Sequence, residues 1–375
     1  MTAISNGLWT RRVLLGLLVA ATLAPAVLFL VSSALNASAA SWQELAGIPF
    51  RSAVQHTLVL ALSGSAISIW LGSKLAGGLV SMPAWIRRPL LAALILPLLA
   101  PPFLSSLGIS AFGMSLPYKY HRWFDGLNGS IHTMLCHLIP LTAVAAYFGM
   151  MSMSKSQREG LALFASDRMG RRVMRRWVSP LVWWVTMVGL GYVLFDAGAA
   201  QIMGYHGIGS EVLIAFAARY DWTLAGIKLG LSTLSLLPLA LLLAYLGGRH
   251  VREPIFGGNS GSASGSVIRP PCTSFGVILV ISAVGLLVIL PVLGLVRPLR
   301  ISTSSETVGY ALNVLRDTAW PTLMSAGLAA LLATTLGFAM AMLARRDEKA
   351  RFPLLIASLV AMAIPSAITG IAWGR

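Results

Sequence analysis

The segment SKSQREGLALFASDRMGRRVMRRWVSP, residues 154–180, is the longest strongly charged stretch between two apolar runs of this chain. It carries seven lysines and arginines against two acidic residues, Glu159 and Asp167. Apolar side chains recur between the charges at spacings typical of short amphipathic helices. We therefore predict a helical, basic loop that joins two membrane spans and contacts something inside the cell.

Composition narrows the class of protein. Hydrophobic residues make up 57% of the 375 residues and charged residues only 11%, whereas soluble domains carry about 25% charged residues. These values predict an all-α, polytopic membrane protein. A net charge of +16 fits the excess of Lys and Arg in cytoplasmic loops, so we expect no nucleic-acid partner. Cys136 and Cys272 have no metal-ligand spacing, and neither a disulfide framework nor a metal site is expected.

Nine apolar runs are each near the length of about 20 residues that crosses a bilayer. The predicted spans are 13–35, 53–80, 89–112, 131–153, 180–203, 222–246, 274–297, 319–344 and 353–373. With the N-terminus inside, 19 of the 28 Lys and Arg fall in inner segments and nine in outer segments. This bias places 154–180 in the cytoplasm and the C-terminus outside.

An internal repeat divides the chain. Four landmarks recur at offsets of 264–266 residues: Pro25 and Pro291, Thr57 and Thr322, Gly72 and Gly337, Pro101 and Pro365. Both copies start with a span that runs outward, so we interpret the repeat as a parallel duplication. The predicted domains are a first half at 1–246, a flexible cytoplasmic Gly/Ser-rich linker at 247–271, and a second half at 272–375. A counterpart of Glu159 would fall near position 424, so we expect this second half to be incomplete, with three spans.

The basic loop resembles the cytoplasmic EAA loop of bacterial ABC importer permeases. In that loop Glu-Ala-Ala is followed by a glycine, a basic helix and Leu-Pro. Here the matching positions are Glu159-Gly160-Leu161, Ala165 and Ser179-Pro180. Two alanines and the glycine of the family pattern are replaced, and the second half of the loop is about two residues longer than usual.

Residues 189–232 extend the resemblance to fused-dimer permeases of the ferric-iron importer type. Asp196-Ala197-Gly198-Ala199 stands where that family ends a span, and Met203-Gly204 stands at a turn. Ser210-Glu211-Val212 matches a short periplasmic helix, and Asp221 matches the aspartate that opens the next span. Ala197 replaces a phenylalanine and Ala200 a proline of the family pattern.

The resemblance implies a permease fold in the bacterial inner membrane without chemistry of its own. ATP hydrolysis would occur on a separate cytoplasmic ABC ATPase, and the sequence has no GxxxxGK[ST] motif. It also implies a periplasmic or lipid-anchored substrate-binding protein as a partner, contact with membrane lipids, and no cofactor. The residues that would couple to the ATPase are Glu159, Gly160, Ala162, Ala165, Asp167 and Gly170. The arginines of the loop fit membrane anchoring as well as partner contact.

Polar residues and prolines within spans are candidates for a translocation path. The resemblance places Asp196 near that path, although backbone groups or interfacial water could equally satisfy its carboxylate. Pro101 and Pro102, with Pro97, are predicted to kink the third span. His137 is expected to hydrogen-bond a neighbouring helix, and Lys228 to reach outward to the membrane surface. The aromatic, basic segment 114–130 is interpreted as an interfacial belt or a docking surface for the binding protein.

Three functions remain open from sequence. The favoured one is the permease of an ABC importer for ferric iron or a related small solute. A secondary transporter or channel would be expected to show paired intramembrane carboxylates or inverted halves, and the sequence shows one intramembrane aspartate and a parallel repeat. A truncated, non-functional permease remnant is the third. The sequence does not specify the solute, because no cluster of ligands is visible in it.

Overall fold

The computed structural model describes residues 27–152, 167–194, 197–248, 274–302 and 305–346, together with positions 16 and 24. Within these ranges the chain is helical and has no β-strand, which confirms the predicted all-α class. The helices are α1 (27–35), α2 (Ala39–Ala46), α3 (Ile48–Ser81), α4 (Ala84–Leu99), α5 (Pro102–Met114), α6 (Gly126–Met151), α7 (Asp167–Leu194), α8 (Ala197–Ile202), α9 (Ile208–Leu213), α10 (Trp222–Gly248), α11 (Ser274–Val284), α12 (Leu290–Ser302) and α13 (Ser305–Arg346).

Five helical segments of the described chain are long and apolar enough to cross a membrane: Ile48–Ser81, Gly126–Met151, Trp222–Leu239, Phe275–Arg297 and Leu312–Ala339. Ala84–Leu99 and Pro102–Met114 form a sixth if the bent pair is one span. The protein is therefore membrane-embedded by length and composition of its helices. The predicted ninth span and most of the first lie outside the described residues, so the number nine stays a prediction.

The third predicted span is broken rather than kinked. Helices α4 and α5 are bent by 102° across Ala100 and Pro101. Pro101 and Pro102 have no N–H to continue the ladder, and Ala100, which precedes them, is forced into an extended conformation at φ −96° and ψ 140°. Two consecutive prolines thus end one helix and begin the next, with Pro102 in its first turn.

Small residues bring α3 and α6 into close contact. A methyl group added at Gly64 would overlap Met134, and one added at Gly72 would overlap Thr142. The Thr142 hydroxyl donates across the interface to the Ser68 carbonyl at 2.9 Å. Such pairing of small residues with a polar bond between helices is typical of membrane bundles, where backbone approach replaces the hydrophobic effect as the cause of association.

Two compact units divide the chain, Ser32–Val296 and the combination of Met1–Val31 with Arg297–Arg375. The first unit includes α11 and the start of α12, which sequence assigns to the second half. Gly78 of α3 approaches Gly276 of α11, and Gly108 of α5 meets the backbone of Pro291 and Gly294. Between α11 and α12, a five-residue π-helical segment, Gly285–Ile289, places the Leu286 carbonyl 3.1 Å from His132 Nε2. In the other unit, α13 covers the predicted span 319–344.

Candidate functional site

The predicted coupling loop is described only from its second half onward. Glu159, Gly160, Ala162 and Ala165 lie outside the described residues. Asp167 and Gly170 belong to the first turns of α7. That helix runs through Pro180 to Leu194, so the second half of the predicted loop and the start of the predicted span at 180 share one helix.

Helix α7 packs firmly on the bundle from Val178 onward. Val178 and Val182 are buried with Ala76 of α3 and Ala146 of α6 in one apolar cluster. Gly149 of α6 faces Val178 across this contact. The basic segment and the buried segment thus belong to one continuous helix, which contacts α3 and α6.

Of the predicted path residues, the structure describes Pro101 and Pro102. Asp196 lies outside the described residues, but α8, which follows it directly, packs against α5, which begins at Pro102. One turn into α5, Ser105 Oγ lies 3.2 Å from His137 Nε2 of α6, and both side chains are buried. The predicted role of His137 as a hydrogen-bonding partner between helices is confirmed.

A buried cluster of charges lies at the opposite end of the bundle from the basic loop, on segments that sequence assigns to the outside. Its centre is Lys228 of α10, whose side chain is only 1% exposed. Its ammonium donates to Glu211 Oε2 at 2.7 Å and to Glu44 Oε1 at 2.9 Å. These bonds correct the expectation that Lys228 reaches outward, since an ammonium inside a helix bundle must find carboxylates when water is excluded.

Two further groups complete the charge cluster, which we define as Glu44, His206, Glu211, Arg219 and Lys228. Arg219 donates from Nη1 to both oxygens of Glu44 at 2.8 Å. His206 Nε2 lies 2.9 Å from Glu211 Oε1. Each carboxylate therefore has two partners, one of which is always Lys228.

The ionisation of Glu44 reflects these partners. Burial raises the pKa of Glu44, but the hydrogen bond and charge of Lys228, with those of Arg219, outweigh it and hold the pKa below its ordinary value. Glu44 is consequently a carboxylate at neutral pH. Because its pKa is lowered on folding, its stabilising contribution is complete above about pH 4.5 and is lost as the pH falls through the lowered pKa.

The elements that carry the charge cluster are fixed by local capping. Gly204 adopts φ +61° in a turn, and α9 includes Ser210, Glu211 and Val212. Asp221 caps α10, since its Oδ1 accepts the Leu224 N–H at 2.8 Å. The predicted turn, short helix and opening aspartate are all confirmed.

Helix α9 is also fastened to α3. The Ile208 N–H donates to Thr57 Oγ1 at 3.0 Å, and the Tyr205 hydroxyl donates to the His56 carbonyl at 2.6 Å. Burial raises the pKa of Tyr205 to about 12, so this hydroxyl keeps its proton under physiological conditions. These two hydrogen bonds position Glu211 relative to α3 independently of its charge pairs.

Sequence reasoning did not identify the charge cluster. No sequence pattern points to Glu44, and Glu211 stands out only as part of a short helix. A usable signal was present: Lys228 lies two turns inside an apolar span, where a cation needs a carboxylate partner. The sequence does not say which carboxylate, because Glu44 and Glu211 are separated from Lys228 by 184 and 17 positions.

The aromatic segment 114–130, which sequence assigns to the outside, contains a short 3₁₀ helix, Tyr118–Trp123. Tyr118 and Trp123 are exposed, and the Lys119 ammonium lies 4.9 Å from the Tyr120 ring centre. This arrangement fits both sequence interpretations, an interfacial belt and a docking surface.

Among the residues that the structure describes, no group of three or more His, Cys, Asp or Glu side chains is arranged to hold a metal ion. Cys136 is a buried free thiol, and Cys272 lies outside the described ranges.

Neither a protein-family model nor a curated protein matches this chain. Its function is accordingly inferred from sequence pattern and geometry.

Proposed function

We propose that this protein is the membrane-spanning permease subunit of an ATP-driven ABC importer of the bacterial inner membrane. A cytoplasmic ATPase would bind the loop 154–180, and a periplasmic or lipid-anchored binding protein would deliver the solute at the other side. Ferric iron or a related small solute is the proposed cargo, on the strength of the resemblance alone.

The observation that carries this proposal is the continuity of α7. An importer of this kind must convert motion of an ATPase in the cytoplasm into motion of membrane helices. A loop helix that continues through Pro180 into the cluster of Val178, Val182, Ala76 and Ala146 is suited to that task. A flexible connector between loop and span would absorb the displacement.

A secondary transporter is the second candidate, and one observation favours it. The charge cluster contains paired carboxylates and a buried lysine at the end of a span, and ion-coupled transporters use such groups. The cluster is already neutralised internally, however, because Lys228 and Arg219 balance Glu44 and Glu211. We therefore favour the ATP-driven importer.

The decisive experiment is co-purification with the cognate ATPase. On this proposal Ala165 would form part of a small-residue face that approaches the ATPase closely, and a bulky charged side chain there would be excluded sterically and by desolvation. Ala165→Arg should cost about 2–4 kcal/mol of binding free energy, which is roughly a thirty- to thousandfold loss of affinity. The ATPase should then be lost from the purified complex.

Arg175→Ala is the matched control in the same loop. If Arg175 anchors the loop to lipid, its removal should cost about 1 kcal/mol of surface attraction and leave co-purification nearly intact. Equal retention of the ATPase by Ala165→Arg and the parent, at matched membrane expression, would refute the docking assignment. Solute uptake that follows an ion gradient and needs no ATP would favour the secondary transporter instead.

A further inference from the structure

Helix α2 is an eight-residue element with extended backbone at both ends. Ser38 precedes it at φ −73° and ψ 159°, and Gly47 follows at φ −66° and ψ 153°. The Ser38 hydroxyl accepts the Ser41 N–H at 3.1 Å, which caps the helix locally. Helix α2 is therefore a separately capped element with an extended residue at each end.

Two contacts hold α2 against the first turns of α10. Leu45 packs with Ile227 and Phe50 in a small apolar cluster. The neighbouring Glu44 binds Lys228 and Arg219. One helix turn of α2 therefore supplies both the apolar and the charged attachment.

The two carboxylates of the charge cluster differ in how easily they could leave Lys228. Glu211 is buried, is closer to the ammonium at 2.7 Å, and lies on α9, which is fastened to α3. The Glu44 side chain is 36% exposed, and that of its second partner, Arg219, is 52% exposed. If Glu44 moved away, water could solvate Glu44 and Arg219, while Lys228 would keep Glu211.

If Glu44 is released, every charge that stays buried keeps an opposite charge. If Glu211 were released, Lys228 would lose its buried carboxylate. The charge cluster thus has a fixed half, Lys228 and Glu211 with His206, and a releasable half, Glu44 and Arg219.

We propose that α2 is a lid over the outer end of α10, that Glu44 is its latch, and that separation of Glu44 from Lys228 and Arg219 opens this end of the protein. The reading of that opening as a gate for solute rests on the proposed function. The movement of α2 does not, so it can be tested without an ATPase.

The test uses a thiol placed beneath the lid. Ile227→Cys, in a chain with Cys136→Ala and Cys272→Ala, puts one cysteine at a buried position that Leu45 covers. Its rate of modification by a membrane-impermeant maleimide is measured in the parent, in Glu44→Gln, and in Gln43→Ala as an exposed control on the same helix. Glu44→Gln keeps the size of the side chain and removes its charge.

We expect modification about five- to thirtyfold faster in Glu44→Gln, the change in open population for a modest loss of interaction free energy. Gln43→Ala should match the parent. A rate for Glu44→Gln within twofold of the parent would overturn the latch.

Amide hydrogen exchange gives a second measurement that needs no cysteine and no change at Ile227. Residues 39–50 should exchange faster in Glu44→Gln than in the parent, while α9 should be unchanged because Glu211 stays paired. Equal exchange of α2 in both proteins would also overturn the latch. If both measurements show that Glu44 holds α2 but no ATP-dependent uptake of solute is measured, the proposed importer function is refuted and the proposal that α2 is a lid is retained.

Discussion

A single lysine organises the end of the helix bundle that sequence assigns to the outside. Lys228 follows Asp221 by two turns of α10, and its ammonium is enclosed where water is excluded. Burying a charge in this way costs several kcal/mol unless opposite charges and hydrogen bonds compensate. Glu211 and Glu44 provide that compensation from two other elements, so one side chain ties α2, α9 and α10 together.

Lys228→Met should therefore destabilise the protein more than loss of one surface charge would. Glu211 would be left buried with His206 as its remaining partner, and breaking a buried pair in this way costs about 3–5 kcal/mol. The exposed Lys74→Met, on α3, is the matched control and should change the free energy of unfolding by less than about 0.5 kcal/mol. Thermal unfolding of the detergent-solubilised proteins measures both.

The double variant Lys228→Met with Glu211→Gln tests the cause. Since it removes the uncompensated carboxylate, it should recover part of the lost stability. A double variant that is no more stable than Lys228→Met would show that packing of the lysine stem, rather than charge pairing, accounts for the effect.

At the scale of elements, close backbone approach fixes where helices cross. Helix α5 meets the helix that starts at Leu290 through Gly108, whose neighbours are the backbone groups of Pro291 and Gly294. Backbone atoms cannot rotate away as a flexible side chain can. The crossing between α3 and α6 is more tolerant at Gly64, which faces the adaptable side chain of Met134.

Gly108→Ala is expected to destabilise the protein by about 1–3 kcal/mol, as overpacking does elsewhere, because its methyl group would overlap the Pro291 carbonyl. Gly77→Ala, within α3, is the control. An added methyl there meets nothing within 4 Å, so the higher helix propensity of alanine should make it neutral or stabilising by up to about 1 kcal/mol. The thermal unfolding midpoint of Gly108→Ala should lie below that of the parent, and the midpoint of Gly77→Ala should lie at or above it. Equal midpoints for both would contradict the crossing.

At the scale of the whole molecule, the sides of the membrane predicted from the distribution of Lys and Arg are consistent with the contacts seen at both ends of the unit Ser32–Val296. Arg87, from a predicted inner loop, lies 5.8 Å from the ring centre of Tyr147 near the inner end of α6. The charge cluster joins segments that are all predicted to lie outside. Residues assigned to one side of the membrane thus meet residues assigned to the same side.

The predicted topology of nine spans places residue 260 of the linker inside and residue 375 outside. Reporter fusions at Ser260 and Arg375 should accordingly show activity on opposite sides of the membrane, because three spans separate them. An alkaline phosphatase and a fluorescent protein, each fused at both positions, report the outer and inner side. The same side for both positions would reject the nine-span topology.

The sequence by itself determined the class of protein and part of the local structure between α8 and α10. Apolar runs of bilayer length require helices, since no other open structure satisfies its backbone in lipid. Pro101 and Pro102 predicted a kink in the third span, and the structure shows a full break with a bend of 102°. The resemblance placed a turn at Gly204 and the start of a span at Asp221, and the structure has a positive-φ glycine and a helix cap at these positions.

The tertiary structure alone decided what the charged residues do. Lys228 looked like a lysine near the end of a span, and only packing showed that it is enclosed and which carboxylates it meets. The same holds for α7, which continues through Pro180 and buries Val178 and Val182, on either side of that proline, against other helices. Local patterns record the preferences of neighbouring residues. Pairing of Glu44 with Lys228, 184 positions apart, follows from how the helices pack, which no local pattern contains.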